Sequence, residues 1–241
     1  MLKKLLNLKS TNEKVNRFNK IIEFAKSVIE ETKEGQKENN SAPLTHPLID
    51  VIRLLGRDLQ TRHLTQLLFE EEETSLSPRR LCPETVLFSK RDLLLATGKT
   101  FEDFQVPAKS TREIHLGRDL VLPWPWHRIR LINSISRIGK GRVWGSWEQD
   151  FNNHGVVLWL PLGIAWVDSG NHSIATGIIQ CSGKVKPDYV YDISEIYDYV
   201  HCNGKDFISI QNNEIIAPVG NVEFAAIFEI GRLMKNNSIS L

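Results

Sequence analysis

Cysteine is scarce in this chain: Cys82, Cys181 and Cys202 are widely spaced and form no CxxC pair. That spacing excludes a zinc ribbon or a disulfide framework and points to a reducing compartment. Long apolar runs are missing as well. Nothing approaches the roughly 20 apolar residues of a membrane span. The opening MLKKLLNLKS has too short an apolar stretch, and no small-residue cleavage site, for a signal peptide. A cytoplasmic protein with no membrane partner is the expectation. There is no internal repeat and no excess of one charge: 30 Lys and Arg stand against 29 Asp and Glu, a net +1. With 41% hydrophobic residues among 241, the chain can still bury a sizeable core, in one domain with a helical addition or in two.

The near-neutral total conceals a local imbalance. Residues 151–241 carry 5 Lys/Arg against 9 Asp/Glu, and residues 1–150 carry 25 against 20. Between 112 and 142, Arg112, Arg118, Arg128, Arg130, Arg137, Lys140 and Arg142 meet only Glu113 and Asp119. A local basic surface is therefore the electrostatic feature to place.

Val15, Phe18, Ile22, Ala25 and Ile29 recur at steps of three and four, the spacing of an amphipathic helix able to dock on the body of the protein or on a second copy. The polar run 33–43, KEGQKENNSAP, reads as an exposed linker. Thr45 is placed to cap a second helix, with Pro47 in its first turn and Leu48, Ile52, Leu55, Leu59, Leu64, Leu67 and Leu68 as its stripe. The acidic run 70–73 reads as a solvated helix end and 75–83 as a loop. Ser89 with Asp92 resembles a capping box, in a helix that Gly98 ends.

Beyond residue 110 the texture changes. Short β-like runs fill 112–125, and Ile129, Ile132, Ile135 and Ile138 suggest a helix stopped by Gly139. Residues 155–168 read as buried strand broken at 161–163. A hairpin around Asn212 and Asn213 and a C-terminal helix follow. The expectation is an α+β protein: an amphipathic helix and linker over 1–40, a helical region over 41–110, and a small mixed-sheet domain over 111–241.

Residues 163–179, GIAWVDSGNHSIATGII, end an apolar strand in Asp-Ser-Gly-Asn-His-Ser and resume as a helix. A glycine with small polar neighbours between strand and helix is where orphan amides and the helix dipole point outward. The amides of 170–174 would face an anion there, with Asp168, Gly170 and Asn171 shaping the turn and His172, Ser173 and Thr176 as donors. The plainer alternative is a turn in which Asp168 or Ser169 caps the helix.

VDSGNHSIATG is similar to the strand–Gly-x-His/Arg-Arg–helix signature of the ParB/sulfiredoxin-like superfamily. The preceding LVLPWPWHRIRLINSISRIG resembles that superfamily's opening strand, Pro- and Arg-bearing turn and helix, so the likeness covers roughly residues 115–180. The whole chain also resembles a bacterial family of unknown function. The superfamily likeness implies a ParB/sulfiredoxin-like fold for 111–241 and a Gly-centred turn that binds nucleotide phosphates, in a group whose members bind DNA, hydrolyse nucleotides or cleave nucleic acid. By that likeness Gly170 is the tight-turn glycine and His172 the polar residue facing phosphate. Ser173 stands where an arginine is expected, which removes the strongest phosphate ligand; Arg128 or Arg130 would have to replace it. Asn171 stands where sulfiredoxins carry their reactive cysteine, which excludes their chemistry.

A second constellation interleaves Trp124, Trp126, Trp144 and Trp147 with Arg128, Arg130, Arg137, Lys140 and Arg142. Aromatic faces stack on bases while cations hold phosphates, so the composition suits a single nucleic-acid strand. Alternatively the tryptophans are core and the arginines pair with acidic residues. His154, Asp168 and His172 are of metal-ligand type, and DFNNH with GNH resembles a His-Asn-His nuclease pattern, but the spacing is irregular and ordinary hydrogen-bonding histidines are the expectation. ATGKT at 96–100 lacks the earlier P-loop glycine, whose place Leu93 takes. Asp188, Asp192, Glu195 and Asp198 around Tyr189, Tyr191, Tyr197 and Tyr199 suggest an acidic aromatic surface.

The function expected is recognition of a nucleotide or nucleic acid at 170–173. Hydrolysis would follow if His172 transfers protons, and magnesium would accompany a bound nucleotide. The alternative is an interaction module with a degenerate pocket that self-associates, or takes a protein partner, through its N-terminal helix.

Overall fold

In a computed structural model of the chain, residues 2–39, 44–69 and 80–241 are described. Helix α1 (Leu2–Asn39) is followed by α2 (Leu48–Phe69), a single turn α3 (Pro83–Val86) and α4 (Lys90–Thr97). Strands β1 (Val106–Pro107), β2 (Ile114–His115) and β3 (Leu120–Leu122) lead to α5 (Arg128–Arg137). The hairpin β4 (Val156–Leu160) and β5 (Ile164–Val167) precedes α6 (Asn171–Ile179), β6 (Lys184–Val185) and β7 (Tyr189–Asp192). The chain closes with β8 (Val200–Cys202), β9 (Asp206–Ser209), β10 (Ile215–Pro218) and α7 (Val222–Asn236). The protein is α+β, with a helical N-terminal region and mixed sheets. Among the described residues, no helix is long and apolar enough to cross a membrane.

The chain forms two compact units that interleave in sequence, unlike the consecutive division at 40 and 110 read from composition. Unit 1 gathers 1–55, 83–106 and 192–241, and unit 2 gathers 56–82 and 107–191. In unit 1 the predicted stripe of α1 buries Phe18, Ala25 and Ile29, and α1 packs on α7. Docking on the body is therefore one use of that stripe. The expected linker begins too early: residues 33–39 continue α1. Lys, Glu and Gln there are good helix formers that offset the roughly 1 kcal/mol cost of Gly35, and Lys33 Nζ is anchored to Asn237 Oδ1 at 2.7 Å. Residues 40–43, like the acidic run 70–73 and 75–79 of the expected loop, lie outside the described residues.

At the start of α2 the side chain that receives an amide is His46, whose Nδ1 accepts from Leu48 N–H at 3.2 Å, and not Thr45. Ser89 caps α4 as expected, its Oγ accepting from Asp92 N–H at 3.1 Å, while the Asp92 carboxylate accepts from the Ser89 hydroxyl at 2.6 Å; Gly98 closes α4 at φ 72°. The core of unit 1 is aromatic. Phe88 stacks on Phe101 at 5.2 Å and meets Phe207 edge-on at 4.9 Å, while Tyr197 packs on Phe228 at 5.1 Å. Tyr197 is thus core, not part of an acidic surface. The hairpin at Asn213, with φ 58°, joins β9 to β10 in an antiparallel three-strand sheet.

Unit 2 is built on a sheet in the order β7-β4-β5-β3, with β1 at the β7 edge. The buried strand expected over 155–168 is two strands, β4 and β5, which the break at 161–163 folds into an antiparallel hairpin. β3 runs parallel to β5, pairing Leu120 with Ile164 and Leu122 with Trp166. A parallel pair needs a crossover, and α5 lies within it; each of the two strands is followed by a helix. The helical stripe expected on α5 is only partly buried. Steps of three on a 3.6-residue helix rotate by about 60° each time, so Ile129 and Ile132 are exposed while Ile138 is buried, and the inner face is Leu131 and Ser134.

Candidate functional site

Because β3 and β5 are parallel neighbours, α5 and α6 both begin at the carboxyl end of the sheet, where open α/β sheets place their ligands. The two helix starts are tied together directly. Asn171 Oδ1 accepts the Trp124 N–H at 2.6 Å, and His172 Nε2 accepts the His127 N–H at 3.1 Å. The opening of α6 is made by Gly170 at φ 72°, with no side-chain cap. Neither Asp168 nor Ser169 caps it: Asp168 pairs with Arg80 at 3.1 Å, and Ser169 Oγ accepts the Gly155 N–H at 2.8 Å. The first-turn amides of Asn171, His172 and Ser173 therefore have no intrahelical acceptor.

These amides border an open cleft of about 460 Å³ lined by Trp126, Arg130, Asn133, Trp144, Asn153 and the turn 168–173. Of the two cations proposed to replace the missing arginine, Arg130 reaches the cleft and Arg128 is not among its lining residues. Arg130 lies over the Trp126 ring at 4.9 Å. Seven residues on, Arg137 lies over Trp144 at 5.3 Å. Trp126 and Trp144 remain 41% and 54% exposed, so their rings are accessible to a ligand. Asn133 belongs to no motif of the sequence but follows Arg130 by one turn of α5 and shares its face; Asn153 belongs to the DFNNH run.

Other expected members do different work. Thr176 is fully buried and its hydroxyl donates to the His172 carbonyl at 3.0 Å, so it faces away from the cleft. Arg142 donates to the Ile135 and Ile138 carbonyls, closing the carboxyl end of α5. Trp147 is core: it stacks on His154 at 5.0 Å and donates from Nε1 to the Ser173 carbonyl at 2.7 Å. Trp124 is half-buried behind Trp126, ring to ring at 6.4 Å, and Lys140 is exposed.

The histidines decide the chemistry. His154 Nδ1 accepts the Asp150 N–H at 2.9 Å, so the proton of the neutral ring is on Nε2, which donates to Ser173 Oγ. That tautomer cannot deprotonate Ser173, so the Ser–His pair is not an activated nucleophile. His172 Nε2 is likewise occupied as an acceptor, which leaves Nδ1–H as a donor. Burial first, then Arg130 and His127, lowers its pKa to about 4. The ring is neutral at pH 7 and has no free lone pair, so the proton-transfer role expected of it is not supported by its geometry. Among the described residues, no three His, Cys, Asp or Glu side chains gather as a group able to hold a metal ion.

A consequence for stability follows. The unfolded chain protonates His172 near the ordinary histidine value of 6.5, and the folded chain only at about 4, so below 6.5 the unfolded state binds more protons. The contribution is complete above about pH 6.5 and is lost as pH falls toward 4. It amounts to about 3 kcal/mol at most, reduced by the water that still reaches the ring. Burial lowers His154 in the same direction. Urea midpoints followed by tryptophan emission are expected to fall between pH 6.5 and 4.5, with a shallower fall in His172→Gln; equal slopes would refute the assignment.

A family profile matches residues 3–241. The chain belongs to DUF6710, a family of unknown function. No curated protein and no solved structure matches it. For this DUF6710 member, then, the cleft itself carries the functional argument.

Proposed function

We propose that unit 2 binds a phosphate-bearing chain, a single strand of nucleic acid, and does so without proton transfer by His172. The observation that carries this reading is the facing of α6's free first-turn amides and the Arg130–Trp126 pair across one cleft. The amides and Arg130 suit a phosphate, and the tryptophan suits a base. The Arg137–Trp144 pair, about 10.5 Å further along α5, repeats the same combination, which favours a strand over a single nucleotide. The strand–turn–helix order of β3–α5 and β5–α6 is also what the ParB/sulfiredoxin-like resemblance asks for.

Fluorescence anisotropy with short single-stranded DNA and RNA, alongside mononucleotides with and without magnesium, tests this. Binding is expected to weaken steeply with salt. Trp126→Ala and Trp144→Ala are each expected to cost about 1–3 kcal/mol, and Arg130→Ala to reduce the salt slope by about one. No binding to any oligomer or nucleotide at low salt would defeat the proposal. One observation favours the alternative of a degenerate pocket: Ser173, in the place of the expected arginine, also has its hydroxyl engaged by His154 and by the Gly170 carbonyl. That reading predicts no shift of thermal stability with any nucleotide or oligomer.

A further inference from the structure

Helix α1 has a second face, opposite in use to the one that packs on α7. Glu13, Asn16, Arg17, Lys20 and Phe24 of α1, with Leu54 of α2, line an open, largely apolar groove of about 540 Å³ in unit 1. Phe24 is 58% and Leu54 70% exposed. Two neighbouring large apolar side chains in a groove between helices form the kind of surface that a third helix covers.

The charges on the rim select the occupant. Arg17 is already answered within the unit by Glu223, at 2.5 Å. Glu13 and Lys20 remain, seven residues and about 10.5 Å apart along one face. A partner helix of a single charge sign would set one of these two against its like. A second α1 running antiparallel about a two-fold axis near Asn16 and Arg17 answers both: Glu13 meets Lys20 of the other copy, and Lys20 meets its Glu13. An isologous contact of this kind repeats each pairing twice. The axis also brings Asn16 toward its own copy, where two amides can bond to each other. Phe24 and Leu54 would then lose their exposure to water.

We infer that the α1–α2 groove seats α1 of a second copy of this chain in an antiparallel, two-fold pairing. The 38 residues of α1 extend about 57 Å, so the contact runs past the groove, as an interface of standard size requires. It does not depend on the cleft of unit 2.

Sedimentation of the full chain over a wide concentration range tests it. The mass is expected to rise from 27.5 kDa to twice that value. Phe24→Glu and Leu54→Glu are each expected to keep the helical circular dichroism and to remain monomeric. Glu13→Lys and Lys20→Glu each turn two attractive pairs into repulsive ones, and each is expected to weaken the dimer about tenfold. The double variant Glu13→Lys/Lys20→Glu restores the pairs and is expected to recover the wild-type association. A chain that is monomeric at every concentration overturns the inference, as does a dimer that Phe24→Glu leaves intact. A double variant no better than the singles overturns the antiparallel register.

Discussion

Gly170→Ala is expected to lower the stability of unit 2 by about 2–5 kcal/mol and to displace the first-turn amides of α6 that border the cleft. The glycine holds φ 72°, where a Cβ costs roughly 1–2 kcal/mol. Its surroundings add to that cost. A Cβ there would stand 2.3 Å from His154 Cδ2 and 2.8 Å from the Asn153 carbonyl oxygen. The histidine cannot swing aside cheaply: it is buried, stacked on Trp147, and bonded through both ring nitrogens. Relief of such overpacking typically costs a further 1–3 kcal/mol. The shift would be passed to Ser173, the hydrogen-bond partner of His154 in the first turn of α6. All six tryptophans, Trp124, Trp126, Trp144, Trp147, Trp159 and Trp166, fall within 107–191, so tryptophan emission reports unit 2 alone. A urea midpoint within error of wild type by that signal would show that the turn tolerates a side chain and that the cleft is not held as described. Gly141→Ala, in the same unit, is the control: it has a similar φ of 78° and nothing within 4 Å of the added atom, so only the conformational part should appear.

How far these features could be read from the sequence depended on their range. Most signals that act over a few residues hold, the Thr45 cap being an exception. Ser89 and Gly98 bracket α4 because a cap acts over three or four residues, and Asn213 marks a hairpin because a positive φ suits it. The strand, glycine and helix at 164–179 were legible for the same reason. Misreadings arose where distant segments decide. Tyr197 looks like a surface tyrosine among acids until Phe228 covers it. Arg142 looks like a free cation until its loop folds back on α5. His172 looks like a proton carrier until the backbone of residue 127 takes its lone pair. The α5 stripe failed for a local reason, since steps of three were taken for a helical face that they in fact circle. The link between His154 and Ser173 spans 19 residues and two elements, and no spacing rule announces it.

Arg232→Ala is expected to be the most damaging single change in unit 1, at about 3–5 kcal/mol. Arg232 on α7 bonds Glu229 through Nε at 2.8 Å and also donates to the Tyr197 and Val200 carbonyls. Glu229 in turn accepts the Cys202 N–H at 2.7 Å. One guanidinium therefore ties α7 to the 194–198 turn and to β8, with its side chain only 20% exposed and that of Glu229 13%. Removing it leaves a nearly buried carboxylate without its cation and two carbonyls without these donors, and breaking such a pair costs about 3–5 kcal/mol. Lysine keeps the charge but cannot supply the fork, so Arg232→Lys should recover only part of the loss. The double variant Arg232→Ala/Glu229→Ala should cost less than the sum of the two single changes, because the second change removes the stranded charge. Far-UV circular dichroism in urea is the measurement for unit 1, which contains no tryptophan. Against a total of about 5–15 kcal/mol for a folded domain, a loss of this size should move the midpoint well below that of wild type. An unchanged midpoint, or strict additivity in the double variant, would mean that this network decorates the junction of α7 and β8 and does not hold it.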